Sequence, residues 1–193
     1  MAANSGEKVY FAPNSQIYIA PAQVAALPTD LTTELDASFR SLGYVNEDGI
    51  GVTPTREWEP VTAAQSASPV KYVLSSAALT LTFTMLQFDE DTVELYFGTS
   101  WTVQGDVRRL DLASSPALAE HAMVIEFGDW TEEDDGNGGV TITGAKNRLV
   151  IPRGMVSSVN EFKINRTETS ALGVTFDAMD RAGSLGYLLT NVS

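Results

Sequence analysis

The run Ala78-Leu79-Thr80-Leu81-Thr82-Phe83-Thr84-Met85 alternates without a fault. Successive side chains of an extended strand point to opposite faces, so Leu79, Leu81, Phe83 and Met85 share one face and Thr80, Thr82 and Thr84 take the other. The same period of two runs through most of the chain. It is rich in Thr, Val and Ile and broken often by Gly, Asn and Asp, which reads as short strands joined by turns. Strands are expected at 16–20, 39–45, 50–59, 78–85, 107–112, 121–127, 140–151, 155–165 and 171–179, with a short last one within 184–190. Leu172, Val174, Phe176 and Ala178 share a face, as do Phe162 and Ile164, with Glu161 and Lys163 opposite the latter pair.

Three segments break this rhythm. Residues 21–36 hold Pro21, Pro28 and many small side chains, and read as a long excursion. Asn46-Glu47-Asp48-Gly49 is a turn signal, because Asp-Gly tolerates positive φ, and it is expected to join 39–45 to 50–59 as a hairpin. Residues 60–69 run between Pro60 and Pro69 with little to bury, so this segment alone reads as a mobile loop.

One helix interrupts the strands. Asp89 is its expected N-cap, with Glu90 and Asp91 at the positive end of the dipole. Val93, Tyr96 and Phe97 fall at helical spacing, Phe88 is placed to staple onto Val93, and Gly98 ends the helix. With 193 residues, 44% of them apolar, the chain suits a single domain with a real core. The expected fold is mainly β: a β-sandwich or partly closed β-barrel with one flanking α-helix and long loop and terminal extensions.

Charge narrows the function. Twenty-five acidic against 12 basic residues leave a net charge of −13. Binding nucleic acid by counterion release needs a basic patch, and the only adjacent basic pair is Arg108-Arg109, so tight binding to DNA, RNA or an anionic membrane is disfavoured. There is no cysteine, which removes disulfides, thiolate metal sites and cysteine nucleophiles. The first eight residues lack the basic start and apolar run of a signal peptide, and no apolar run is long enough to cross a bilayer.

Catalytic patterns are weak. His121 is the only histidine and lies in an alternating apolar stretch with no nucleophile or orienting acid identifiable near it. The acidic run at 132–135, followed by Gly136-Asn137-Gly138-Gly139, has oxygen ligands for a hard cation but not the spacing of an EF-hand, and reads as a solvated hairpin tip. Glu57 and Glu59 face the same way on an extended segment, a polar strand face rather than a glycosidase pair. No phosphate loop, dinucleotide fingerprint or nucleophile elbow is present. No enzyme and no cofactor is expected.

The order of these pieces carries a resemblance. Leu42-Gly43-Tyr44-Val45-Asn46-Glu47-Asp48-Gly49-Ile50 resembles the hairpin of phage major tail proteins. An extended Thr53-Pro54-Thr55-Arg56-Glu57-Trp58-Glu59, a small-residue loop, the alternating strand to Gln87, the acid-capped helix and Gly98 follow in that family's order. The match covers about residues 15–98 and is to the tail tube proteins of long-tailed, non-contractile bacteriophages, relatives of the tubes of contractile tails and of type VI secretion.

The resemblance implies a single domain over 1–193, with an N-terminal arm at 1–14 and an extended hairpin and inter-ring loop at 46–76. It implies hexameric rings of the chain's own copies, stacked into a tube that conducts DNA at ejection. Further partners would be a tape measure protein, a tail terminator and distal tail or baseplate proteins, with no membrane. Assembly would occur in the host cytoplasm and the product would be the virion tail. An acidic bore would let double-stranded DNA slide without sticking. Glu57, Glu59, Glu161 and Asp177 are the candidates to face it; Glu47, Asp48, Trp58, Gln65, Ser66 and Ser68 are the candidates for contacts between rings or subunits. Two other readings share the composition: a capsid decoration or head–tail connector protein, and a carbohydrate-binding β-sandwich presenting Trp58, Trp101 or Trp130.

Overall fold

The structure is a computed structural model that describes residues 12–23, 25–115, 118–134, 140–164, 166 and 170–191. Most of the expected N-terminal arm, and the 135–139 part of the acidic tip, lie outside the described residues. Among the described residues, ten strands and one helix follow in the order β1 (Asn14–Pro21), β2 (Arg40–Ser41), β3 (Gly51–Val61), β4 (Lys71–Met85), α1 (Glu90–Phe97), β5 (Trp101–Gln104), β6 (Val107–Leu110), β7 (His121–Asp134), β8 (Val140–Val159), β9 (Leu172–Ala178) and β10 (Tyr187–Thr190). The fold is mainly β, its sheet is not closed into a barrel, and it is consistent with a sandwich.

All strands but β5 and β6 belong to one antiparallel network, ordered β2-β1-β7-β8-β9-β4-β3, with β10 also on β8. The long strand β8 makes this network a sandwich. Its first part pairs with β7 on one edge and, over Asn147–Val150, with β10 on the other. Gly154 lies opposite both His121 of β7 and Ala178 of β9, and beyond it β8 pairs with β9 alone. The chain thus passes from a β1-β7-β8-β10 layer into a β8-β9-β4-β3 layer along one strand. A Cβ on Gly154 would sit 2.3 Å from the Phe176 ring, so this crossing needs glycine. Residues 140–151 and 155–165 were expected as two strands; they form one, which ends at Val159. Pro152 does not break it, because it falls at the irregularity between His121 and Met123, where the ladder is already interrupted.

The layers close on a core in which Ile17, Ile19, Met123, Ile125 and Ile151 from the first meet Leu81, Phe83, Met85, Leu172, Val174 and Phe176 from the second. Val93, Leu95 and Tyr96 of α1 pack onto the same core. The strand pattern around Leu81 thus finds the half-buried environment that its alternation demands. Asp89 accepts a hydrogen bond from the Thr92 N–H at 3.0 Å and Gly98 adopts a left-handed C-cap, which sets both ends of α1. Phe88 does not lie under the helix: it is exposed, and its ring stacks on Phe162 with centroids 5.8 Å apart.

The first hairpin differs from expectation. Residues 39–45 contribute only β2 and an isolated bridge from Val45 to Met85, while β3 pairs with β4. Asn46-Glu47-Asp48-Gly49 still forms a turn, closed by the Gly49 N–H on the Asn46 carbonyl at 3.0 Å. It does not reverse the chain: the segments before and after it run along the same edge of β4, at Met85 and then at Thr82. The β4 edge is long enough to hold both. The excursion at 21–36 becomes a strap over the outer face of the first layer, where Arg148 Nη1 donates to the carbonyls of Asp30 at 2.8 Å and Thr33 at 2.9 Å, and the Tyr187 hydroxyl donates to the Pro28 carbonyl at 2.8 Å.

Candidate assembly surfaces

Beyond the body, β3 and β4 continue as a two-stranded arm. Every residue of β3 and the first eight of β4 are exposed. The rungs from Thr55 to Val61 carry it roughly 23 Å past the core before the turn. At the tip, Val70 N–H donates to the Val61 carbonyl at 2.8 Å, Ser66 N–H donates to the Ala63 carbonyl at 3.0 Å, and Ser66 Oγ donates to the Ser68 carbonyl at 2.8 Å. Residues 60–69 therefore fold into the hairpin rather than standing apart as a loop. The prolines Pro54 and Pro60 are tolerated because β3 is the sheet edge.

The arm has two unlike faces. Residues directly opposite in an antiparallel pair project to the same side. Val52/Leu81, Pro54/Leu79, Arg56/Ala77, Trp58/Leu74 and Pro60/Tyr72 are such pairs. This side continues the core face of β4 into solvent, where Trp58 is 54% exposed, Tyr72 57% and Leu74 45%. A register shift between Glu57 and Trp58 keeps the apolar face intact: it leaves Ser75 without an opposite partner and so returns Leu74 and Tyr72 to the side of Leu79 and Leu81.

The other side carries Thr53, Thr55, Glu57 and Glu59, and it runs on through Thr80 to Asp177 of β9. Glu57 accepts from Ser76 Oγ at 2.9 Å, and Asp177 accepts from Thr80 Oγ1 at 2.6 Å. The structure therefore brings Glu57, Glu59 and Asp177 onto one face of one layer. Glu161 is not with them. It follows the end of β8, lies on no strand, and sits 3.8 Å from Lys163. The alternation assumed for 161–164 fails there, since Ile164 is 85% exposed. Glu47 and Asp48 occupy the turn before β3, where Asn46 Nδ2 donates to Asp48 Oδ2 at 2.7 Å, and Gln65, Ser66 and Ser68 sit at the arm's tip.

The remaining candidates disperse. The three tryptophans stand on β3, β5 and β7. His121 begins β7, and burial holds its imidazole below the ordinary value. Glu132 pairs with Lys146 at 2.5 Å. Among the described residues no cluster of three or more His, Asp or Glu side chains is fit to hold a metal ion, and no helix is long and apolar enough to cross a membrane.

Sequence reasoning missed a buried charged group beneath the strap. Glu126 accepts from Arg148 Nε at 2.5 Å and lies 3.2 Å from Lys146 Nζ, with all three side chains nearly excluded from solvent. These residues share the outer face of the first layer with Val124 and Val150. The available signal was their pairing across β7 and β8, legible only once the register is known. Tyr18 lies in the same field, and burial first, then Glu126 and Glu132, raise its hydroxyl above the ordinary value.

Two comparisons bear on these surfaces. A family model described as phage tail tube protein matches residues 1–190, nearly the whole chain. No curated protein matches it.

Proposed function

The chain belongs to the phage tail tube protein family, which makes it a structural component of the tail, and we propose that its copies join through the two-faced arm into hexameric rings stacked as the tube that conducts DNA. The arm is the observation that carries this reading. A contiguous apolar ribbon with no core of its own is an exposed patch of the kind that marks an interface. Its outer edge is an unpaired strand, a template for pairing with another copy. Contact between an arm and a different surface of the next copy is head-to-tail, and such contacts close into rings by rotation.

The opposite face supports a bore lined by Glu57, Glu59 and Asp177, which repels phosphate and leaves DNA free to slide. Glu161 stands apart from that face, on the segment that follows β8. We extend the proposal to a single domain over 1–193 with an N-terminal arm at 1–14 and a 46–76 hairpin between rings, to non-enzymatic action, and to assembly in the host cytoplasm. A tape measure protein, a tail terminator and distal tail proteins complete the proposed partners, on the strength of the family alone. Electron microscopy of the purified chain at rising concentration, with and without a tail initiation complex, tests the reading. Rings or tubes are expected; single molecules under every condition would overturn it.

A further inference from the structure

A groove of about 500 Å3 opens between α1, the ends of β1 and β7, and the last residues of β8. Past Gly154, β8 has β9 on one edge and, among the described residues, no strand on the other, and Met155–Val159 form one wall of the groove. Leu95, Phe97, Leu118 and Val156 supply an apolar lining. Among the described residues, Thr99 Oγ1 and His121 Nδ1 are buried without a hydrogen-bond partner, and the buried Asp91 Oδ1 meets the Arg40 guanidinium. All three residues line this groove. Asp91 Oδ1 is held in an ion pair by Arg40 Nη1, so its negative charge already draws a guanidinium to this rim. Burial, with Asp89, Glu94 and Glu90 nearby, raises its carboxyl above the ordinary value against the pull of Arg40. Buried polar atoms are nearly always satisfied. The groove thus suits an apolar body that brings N–H donors and positive charge.

The arm carries that combination. Arg56 lies on its apolar face beside Trp58 and across from Ala77. Neither Arg56 nor Lys71 has an acidic partner among the described residues, whereas Arg40, Arg108, Arg109, Lys146, Arg148, Arg153 and Lys163 each have one. An arginine within an apolar stripe is costly to cover unless the covering surface offers a carboxylate. We propose that the arm of one copy lays its apolar face into this groove on the next copy, with Trp58 filling the cavity and Arg56 meeting the carboxylates of Asp91 and Glu94. The volume is in the range of pockets that hold a compact aromatic ligand. This docking rests on the tube reading above and names the surface that receives the arm.

The chain has no cysteine, so two introduced thiols report one contact. Leu74→Cys, across from Trp58 on the arm, is combined with Leu118→Cys on the groove's rim, and the full-length protein is assembled and then oxidised. A ladder of cross-linked multimers is expected, with each single-cysteine variant giving none. Tubes that form without the ladder would overturn the docking and leave the tube reading standing; failure of the unmodified chain to assemble at all would overturn both. As a second readout that keeps the groove intact, Arg56→Glu is expected to raise the concentration needed for assembly by about tenfold or more, as loss of an interfacial charge pair does. An unchanged threshold would contradict the role given to Arg56.

Discussion

Asp89 and Thr92 exchange hydrogen bonds at the start of α1: the Thr92 N–H donates to Asp89 Oδ1 at 3.0 Å and the Asp89 N–H donates to Thr92 Oγ1 at 3.1 Å. Asp89→Ala should lower stability by about 1 kcal/mol in urea denaturation, the usual loss for an N-cap. Gly154 faces a harder limit. Its Cβ position is 2.3 Å from the Phe176 ring and 2.7 Å from the Asp177 carbonyl, so neither backbone nor core can yield easily. Gly154→Ala should cost about 1–3 kcal/mol, the range for overpacking, and equal stability would mean that β8 crosses between layers more loosely. Asp30 shows its effect through pH. The Thr33 hydroxyl and amide hold its carboxyl down to about 2 from an ordinary 3.8. The folded state thus binds this proton less readily than the unfolded chain, so the stabilisation is complete above pH about 4 and is lost as pH falls toward 2. Asp30→Asn should therefore be less stable than the wild type at pH 7, and the gap should close on acidification.

At the scale of elements, the arm and the body are expected to separate cleanly. Trp58 and Leu74 are exposed and touch no core, so replacing both with serine should move the unfolding midpoint little, within about 0.5 kcal/mol per site, while abolishing assembly. Loss of both properties together, read by calorimetry and light scattering, would show that the arm stabilises the single chain. Elements with strict local patterns were legible in sequence: the alternation ending at Met85, the helix with its cap at Asp89 and stop at Gly98, and the strand bearing Leu172, Val174 and Phe176. What escaped was partnership. Nothing in residues 39–61 states that β3 will choose β4 over the nearer segment, since pairing is decided by the length of edge available and not by the turn between them. Pro152 gave a false stop because a proline at an interrupted rung costs no ladder bond. Of the acidic face, Glu57, Glu59 and Asp177 were legible by parity along their strands. Glu161 was not, because its strand had already ended.

Across the whole molecule, a net charge of −13 is spread over a body most of whose cations are paired with acids, while Arg56 and Lys71 on the arm, like Arg166 and Arg181 on the body, have no acidic partner among the described residues. In the proposed tube, the acidic charge would keep polyanions off, and the apolar contact between copies would have to outweigh their mutual repulsion. In the proposed tube the two faces of the arm have separate duties, one against a neighbour and one toward the bore. Electron cryomicroscopy of assembled tubes, at a resolution that places side chains, tests it most directly. Trp58, Leu74 and Tyr72 are expected to be covered by the next copy, with Glu57, Glu59 and Asp177 along the channel. An assembly whose arms lie free on the outside, or whose channel is lined by basic side chains, would contradict it.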